Sequence, residues 1–329
     1  MIADGFSLHQ PTTTTEAIAL AERFRGEARF FAGGTDVLPG LFQRREAPKH
    51  LIALERIGEL SEFAPDRGHI GSMVHLAALE RDAQVRARFT AVAEAARRAA
   101  SPALRASGTV GGNLLLDPRC LFYDQTAFWR DSVGGCLKTG ADVCRVVPSS
   151  SRCYAVYCGD LAPAFLVLGA SVVVEGPTGR RTIPLEDLYP ASGDGKSPFS
   201  TGRSDIVVAV ELPSGLKVHS SYAKLRPRGA PDFSEASVAV ALAVGKQGLE
   251  YFRVAVGGVE PRPRLFDELT QPWIGRTPTA EQVHELAAEI VRRVRPVANT
   301  SLFTDYRKHV VAHFLRRDIH ALLEASAAH

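Results

Sequence analysis

All five cysteines of this chain, Cys120, Cys136, Cys144, Cys153 and Cys158, fall within one stretch of about forty residues out of 329. So narrow a grouping points to one job, and thiolate ligation of a metal ion or an iron–sulfur centre is the chemistry that calls for it. The first four are separated by intervals of 16, 8 and 9 residues, and Cys158 stands two residues before Asp160. Structural zinc normally takes tight Cys-x2–4-Cys knuckles, which these four lack, and no His lies between positions 113 and 160 to make a mixed site. A cubane accepts wide spacing, because its thiolates converge from an irregular loop that the cluster itself organises. Phe122, Tyr123, Phe128 and Trp129 could screen such a centre from water or simply pack the loop. Cys158 reads as a buried structural thiol. Zinc in a non-catalytic scaffold and free thiols are the alternatives.

The cysteine stretch interrupts a glycine-rich frame. Ala32-Gly33-Gly34-Thr35-Asp36 comes first, Ser107-Gly108-Thr109-Val110-Gly111-Gly112-Asn113 immediately precedes the cysteines, and Gly159-Asp160 follows them. Glycine lets a backbone turn at positive φ and approach a ligand closely, exposing N–H groups to phosphate oxygens. Thr35 and Asp36 can add a hydroxyl and a carboxylate. Neither frame is G-x-G-x-x-G or G-x-x-x-x-G-K-[ST], so a Rossmann site and a P-loop are both disfavoured. Two frames about 75 residues apart could grip an extended dinucleotide from two sides.

Other chemistries find less support. The histidines are scattered, without H-x-E or H-E-x-x-H, and His309 and His313 read as one face of a helix. Asp205, Asp232 and Glu235 have no evident carboxylate or base partner, and a G-x-S-x-G nucleophile motif is absent.

The elements that must position these residues are legible in outline. Thr14 or Thr15 can cap a helix through Glu16–Ala21. Ala28–Phe31 reads as a strand entering the first glycine turn, followed by a helix from Val37 to Arg45 and a strand at His50–Leu54. Short strands are expected near Glu62-Phe63 and His69–Ser72, then a helical region from His75 to about Ala100. Leu161–Leu168 reads as a buried helix. Ser171–Glu175 and Arg180–Ile183 form a hairpin, and residues 191–204 form a turn-rich surface loop. Beyond residue 218, Val238, Val240 and Leu242 alternate with Ala239 and Ala241, and Phe252, Val254 and Val256 alternate in return. Helices near Thr279–Arg293 and Leu302–Ala325 close the chain. Strands followed by helices make a separate α+β domain.

Apolar content of 45% and charged content of 23% are those of an ordinary globular protein. A net charge of +3 is too small to argue for nucleic acid. The longest apolar stretch, Leu161–Val174, is broken by Pro163, Gly169 and Ser171 and is too short to span a bilayer. Met1–Gly5 shows no basic stretch leading into an apolar run, so the expected setting is the cytoplasm. There, clustered cysteines read as ligands or redox groups before disulfides.

Taken in order, Phe31–Asp36, Ser101-Pro102, Gly108–Leu114, Gly159–Pro163 and Tyr222-Ala223-Lys224 resemble the FAD subunit of the molybdenum hydroxylases, over nearly the whole chain. The resemblance implies an α+β fold. A two-subdomain FAD-binding unit of vanillyl-alcohol-oxidase type would span residues 1–217, with subdomains 1–57 and 58–217 and a cysteine-bearing insert at 117–158. A C-terminal antiparallel sheet with helices would span 218–329. It further implies FAD held at its pyrophosphate by Ala32, Gly33, Gly34, Thr35 and Asp36 and by Thr109, Val110, Gly111, Gly112 and Asn113. Asp160 would meet the ribityl or flavin region and Lys224 the isoalloxazine ring, with Val207 and Ser101 as further contacts.

In most of that family the Gly-Gly-Asn motif runs almost at once into the helix start at Asp160, whereas here 46 residues intervene. This departure resembles the flavin subunit of 4-hydroxybenzoyl-CoA reductase, a branch whose loop carries a 4Fe–4S cluster. That implies Cys120, Cys136, Cys144 and Cys153 as ligands and ferredoxin as electron donor. It also implies a molybdenum large subunit and a 2Fe–2S small subunit as partners, in a dimer of heterotrimers. The flavin subunit of an oxidising hydroxylase, acting on purines, aldehydes or carbon monoxide, is the alternative.

Overall fold

The computed structural model describes residues 5–229 and 231–327; the reading made of Met1–Asp4 lies outside them. The chain opens with β1 (Ser7–His9), α1 (Thr14–Arg23), β2 (Ala28–Phe31), α2 (Val37–Phe42) and β3 (His50–Ala53). Its three strands are parallel, in the order β1-β3-β2. Thr13, one residue earlier than expected, caps α1 by accepting the Glu16 N–H at 3.1 Å. Thr14 is instead buried and donates to Glu59. Ala17, Ile18 and Ala21 of the helix pack with Ile52 and Leu60.

Next come β4 (Phe63–Ala64), β5 (His69–Gly71) and five short helices: α3 (Leu76–Arg81), α4 (Ala83–Arg88), α5 (Thr90–Arg98), α6 (Pro102–Ser107) and α7 (Val110–Leu114). The single helix expected from His75 to Ala100 is therefore three. Asp82 breaks it, because its carboxylate accepts the N–H groups of Gln84 and Val85 and starts a new helix while its own ψ is 129°. The insert holds α8 (Ala127–Ser132), and α9 (Leu161–Val167), buried throughout, follows it. β6 (Ser171–Gly176), β7 (Gly179–Pro184) and β8 (Ile206–Glu211) complete an antiparallel sheet of order β4-β5-β8-β6-β7. The expected hairpin is β6–β7. β8 escapes pattern reading because Ile206–Val210 is an unbroken apolar run, buried on both faces.

The last part comprises β9 (His219–Leu225), β10 (Ala236–Gly245), β11 (Gly248–Gly257), β12 (Arg264–Leu265), α10 (Asp267–Thr270), α11 (Ala280–Arg293) and α12 (Thr304–Ala327). Its sheet is antiparallel, in the order β12-β11-β10-β9. Alternation along β10 and β11 sorts two apolar faces rather than one apolar and one polar. Val238, Val240, Leu242, Val254 and Val256 pack against Val283, Leu286 and Ile290 of α11 and Val311, Leu315 and Ile319 of α12. Ala239, Ala241 and Ala255 join the core that contains Phe165 of α9 and Tyr222 of β9. The small alanines let α9 lie close against the sheet, which fixes Asp160 at its start. Among the described residues no helix is long and apolar enough to cross a membrane.

Ile290 is fully buried between α11 and the valine face. Ile290→Ala should cost about 2–5 kcal/mol through lost contacts and the cavity left behind, read as a lower urea midpoint.

Candidate cysteine cage and dinucleotide cradle

The insert is closed at its base by an antiparallel bridge between Arg119 and Val156, with paired N–H···O bonds of 2.7 and 2.6 Å. Cys120 and Cys153 leave from that bridge on opposite limbs. Their own N–H groups are held by carboxylates, Cys120 by Asp124 and Cys153 by Asp194, each at 3.0 Å. Cys136 sits in a tight local turn, its N–H donating to the Thr139 hydroxyl at 2.8 Å. Leu137 N–H closes onto Val143 O, beside Cys144.

The four side chains line one small cavity together with Phe122, Tyr123, Leu137, Lys138, Arg145 and Val146. All four are buried and none forms a disulfide. Burial pushes the Cys120 thiol up to about 12, and Cys153, Cys136 and Cys144 add to the rise. Burial also raises Cys153. Thiols raised in this way, as Cys120 and Cys153 are, do not ionise in apolar surroundings unless cations hold the thiolates there. Lys138, tied to Asp117 and Pro118 O, and Arg145 supply part of that charge. Among the described residues no group of three or more His, Cys, Asp or Glu side chains is placed to hold a metal ion. A lone zinc would draw its sulfurs to within roughly 4 Å of one another, whereas a cubane would carry each thiolate on a different iron. Ala155 N–H donates to Cys153 Sγ at 3.4 Å, the kind of bond that tunes a cluster's potential.

Of the aromatic side chains in the loop, Phe122 and Tyr123 line the cavity, whereas Phe128 is 84% exposed and shields nothing. Cys158 lies apart, fully buried, its Sγ at 3.4 Å from Ser234 O. Residues 191–204 are more than a surface loop, since Asp194 caps Cys153 and Gly195 N–H donates to Cys153 O at 2.9 Å.

The two glycine frames meet. A Cβ on Gly33 would stand 1.8 Å from Ser107 O, so only glycine permits the contact. Gly34 turns with φ of 70°, and among the described residues no protein acceptor meets the N–H groups of Gly33, Gly34 and Thr35. Free N–H groups in such a turn are the donor set that a pyrophosphate takes. The second frame differs from expectation. The N–H groups of Val110, Gly111, Gly112 and Asn113 already pair with Val74 O, Ser72 O, Thr109 Oγ1 and Thr109 O. It therefore offers close approach more than free donors. Asn113 Oδ1 accepts the Leu161 N–H at 2.9 Å, tying this frame to α9.

Asp36 bridges cradle and cage. It pairs with Arg119 at 3.3 Å and Arg45 at 3.7 Å, and both guanidinium groups reach Asp124 at 3.1 and 3.2 Å. Asp124 in turn holds the Cys120 N–H. Asp160 and Lys224 come together as a buried ion pair at 2.9 Å, with the Tyr222 hydroxyl donating to Asp160 at 2.6 Å. Burial first, then Asp160, raises the Tyr222 hydroxyl well above its ordinary range and keeps it a donor. Lys224 also donates to Arg98 O at 3.1 Å. Val207 lies in β8 with its side chain in the core, and Ser101 caps α6 through the Leu104 N–H. His309 and His313 lie exposed on α12; Asp205 pairs with Arg181, Asp232 with Arg228, and Glu235 with Arg307 and Ser301. Asp124, Asp194, Lys138 and Arg119, which hold or flank the cysteine loop, were not singled out by sequence reasoning. Each is a single polar residue in an irregular loop, without periodicity or motif to mark it.

Residues 4–215 match the family model described as the FAD binding domain in molybdopterin dehydrogenase, and residues 220–322 match the CO dehydrogenase flavoprotein C-terminal domain. The chain is 34% identical, over 78% of its length and 82% of the relative, to the aldehyde oxidoreductase FAD-binding subunit PaoB of Escherichia coli (strain K12). It is 25% identical, over 98% of both chains, to the carbon monoxide dehydrogenase medium chain of Hydrogenophaga pseudoflava. A solved structure of carbon monoxide dehydrogenase from that organism, lacking the Mo-pyranopterin moiety, superimposes with a TM-score of 0.78 at 24% identity, covering 98% of this chain and 99% of that one.

Gly33→Ala should push the two frames apart at a cost of about 1–3 kcal/mol. The expected result is a lower melting temperature together with loss of bound FAD, read from the flavin absorbance of the purified protein.

Proposed function

The chain belongs to the FAD-binding family of the molybdopterin dehydrogenases, and from that premise we propose that it is the flavoprotein subunit of an aldehyde-oxidising molybdenum hydroxylase whose cysteine insert holds a 4Fe–4S cluster. One observation carries the cluster: four reduced, buried cysteines from an otherwise irregular loop line a single cavity with Lys138 and Arg145. The similarity to an aldehyde oxidoreductase subunit supports the substrate class.

In this reading Ala32, Gly33, Gly34, Thr35 and Asp36 hold the FAD pyrophosphate through main-chain N–H groups, and Thr109 to Asn113 form the opposite wall. Asp160, Lys224, Val207 and Ser101 belong to the same pocket. The buried Asp160–Lys224 pair fixes a polar surface beside α9 with little conformational freedom, which suits orientation of a flavin more than proton transfer. Cys120, Cys136, Cys144 and Cys153 are the cluster ligands. Flavin and cluster together supply the exchange of electrons singly and in pairs. The chain's own residues bind, orient and exclude water. Asp36, Arg119, Arg45 and Asp124 keep the two sites in fixed relation.

Oxidation of the aldehyde with water to a carboxylic acid, releasing two electrons and two protons, belongs to a partner chain bearing molybdenum, with a 2Fe–2S chain between. The assembly is a dimer of heterotrimers in the cytoplasm. A second reading reverses the flow: ferredoxin feeds electrons through this chain to a partner that reductively removes the phenolic hydroxyl of 4-hydroxybenzoyl-CoA. The 16, 8 and 9 cysteine intervals favour it.

Anaerobic purification of the whole complex tests both. This chain should carry one FAD, about four irons and no zinc; zinc without iron would sink the cluster. Aldehydes should reduce an artificial acceptor, whereas turnover only of 4-hydroxybenzoyl-CoA with a low-potential donor would establish the second reading instead. Cys136→Ser should abolish the cluster signal and leave FAD bound, because the glycine frames lie outside the insert. Cys158→Ser should leave iron content unchanged.

A further inference from the structure

Two of the four cysteines are pinned to the body of the protein and two are not. Cys136 and Cys144 sit in a turn whose hydrogen bonds stay within the insert, through Thr139, Ala141, Val143 and Gly135. Cys120 and Cys153 are followed directly by Leu121 and Tyr154, and one residue of the C-terminal part touches both. Asn299, in the connection between α11 and α12, accepts the Leu121 N–H on its main-chain oxygen at 3.0 Å. Its Nδ2 donates to Tyr154 O. Asn299 is 1% exposed, and it is held in turn. Arg307 of α12, with no exposure, donates to Asn299 Oδ1 at 3.3 Å, to Glu235 O and Gly258 O at 2.8 Å and to Val297 O at 3.0 Å. A guanidinium with its donors shared among so many fixed acceptors has a single orientation. The amide it grips therefore has one as well.

We propose that Asn299, oriented by Arg307, is a positioning residue that sets the separation of Cys120 and Cys153. The C-terminal part thereby governs the geometry of the centre that the insert binds. The Arg119–Val156 bridge joins the two limbs, and Asn299 joins them again at the residue after each cysteine, past Cys120 on one limb and between Cys153 and the bridge on the other. With that pair held at a fixed span, the Cys136–Cys144 turn closes over the remaining two corners. The inference rests on the cysteine centre proposed above, and its test separates the two.

Asn299→Asp is nearly isosteric and keeps an acceptor for Arg307, but it removes the N–H donor to Tyr154 O. In the complex purified anaerobically, the variant should retain FAD while iron per chain falls by about half or the signal of the reduced cluster shifts, since position of the ligands tunes it. A second reading is independent of metal. After iron is stripped with chelator, alkylation of Cys120 and Cys153 should accelerate at least about tenfold over the parent protein through local opening, with Cys136 and Cys144 unchanged. Unaltered iron, signal and labelling would overturn the proposal, as would equal acceleration at all four thiols. If the parent complex carries no iron, the cluster reading fails and the labelling ratio alone decides the positioning role. If Asn299→Asp loses FAD as well, the milder Asn299→Ser decides by the same readings.

Discussion

The approach of Gly33 to the carbonyl of Ser107 is the constraint on which the rest of this molecule depends. It is a contact of backbone on backbone, with no side chain between, and it joins a parallel α/β unit to a helical and antiparallel one. Once it is made, the first turn, whose N–H groups meet no protein acceptor among the described residues, lies against the second. The second turn can serve as a wall because its own polar groups are satisfied internally by Val74, Ser72 and Thr109. The proposed dinucleotide-binding surface would thus arise from two segments, each too small to form one alone.

The insert departs between this wall and α9, and the protein treats it as a graft that must be stitched on all sides. Carboxylates from within the loop and from residues 191–204 hold the N–H groups of Cys120 and Cys153. A four-member charge network runs back to Asp36, at the lip of the cradle. Such a network carries a large desolvation cost, and it persists when every member has more than one partner. Arg119 shows the economy of the arrangement: its main chain forms the bridge at the base of the insert, its side chain pairs with Asp36 and Asp124, and its guanidinium lies 3.8 Å over the Phe233 ring.

Much of this was legible in the residues. Cysteine grouping anticipated that four thiols of one loop would line a common cavity. The glycine pairs anticipated the close approach of the two frames, because positive φ and tight contact leave a mark in composition. The strands at 236–245 and 248–257 followed from alternation. What stayed hidden has physical reasons. The helix from His75 breaks at Asp82 because a carboxylate one turn inside an apolar pattern caps better than it continues. β8 is apolar on both faces and so shows no period. Asp194 and Asn299 reach across 41 and 145 positions of sequence and Asp124 acts within an irregular turn, and no local pattern encodes such pairings. Lys224 was expected to approach the flavin; that its ammonium would be tied to Asp160 and Arg98 O depends on strand register alone.

The sheet of β9 to β12 is apolar on both sides, a party wall between two cores. Neither neighbour owns it. A chain cut near residue 217 would strip Phe165, Tyr222's partners and the alanine ridge of their cover on one side and leave the other half with a greasy, unroofed flank. The two lobes therefore cannot melt or evolve separately: a swap of the terminal lobe between relatives succeeds only when the spacing of those alanines travels with it.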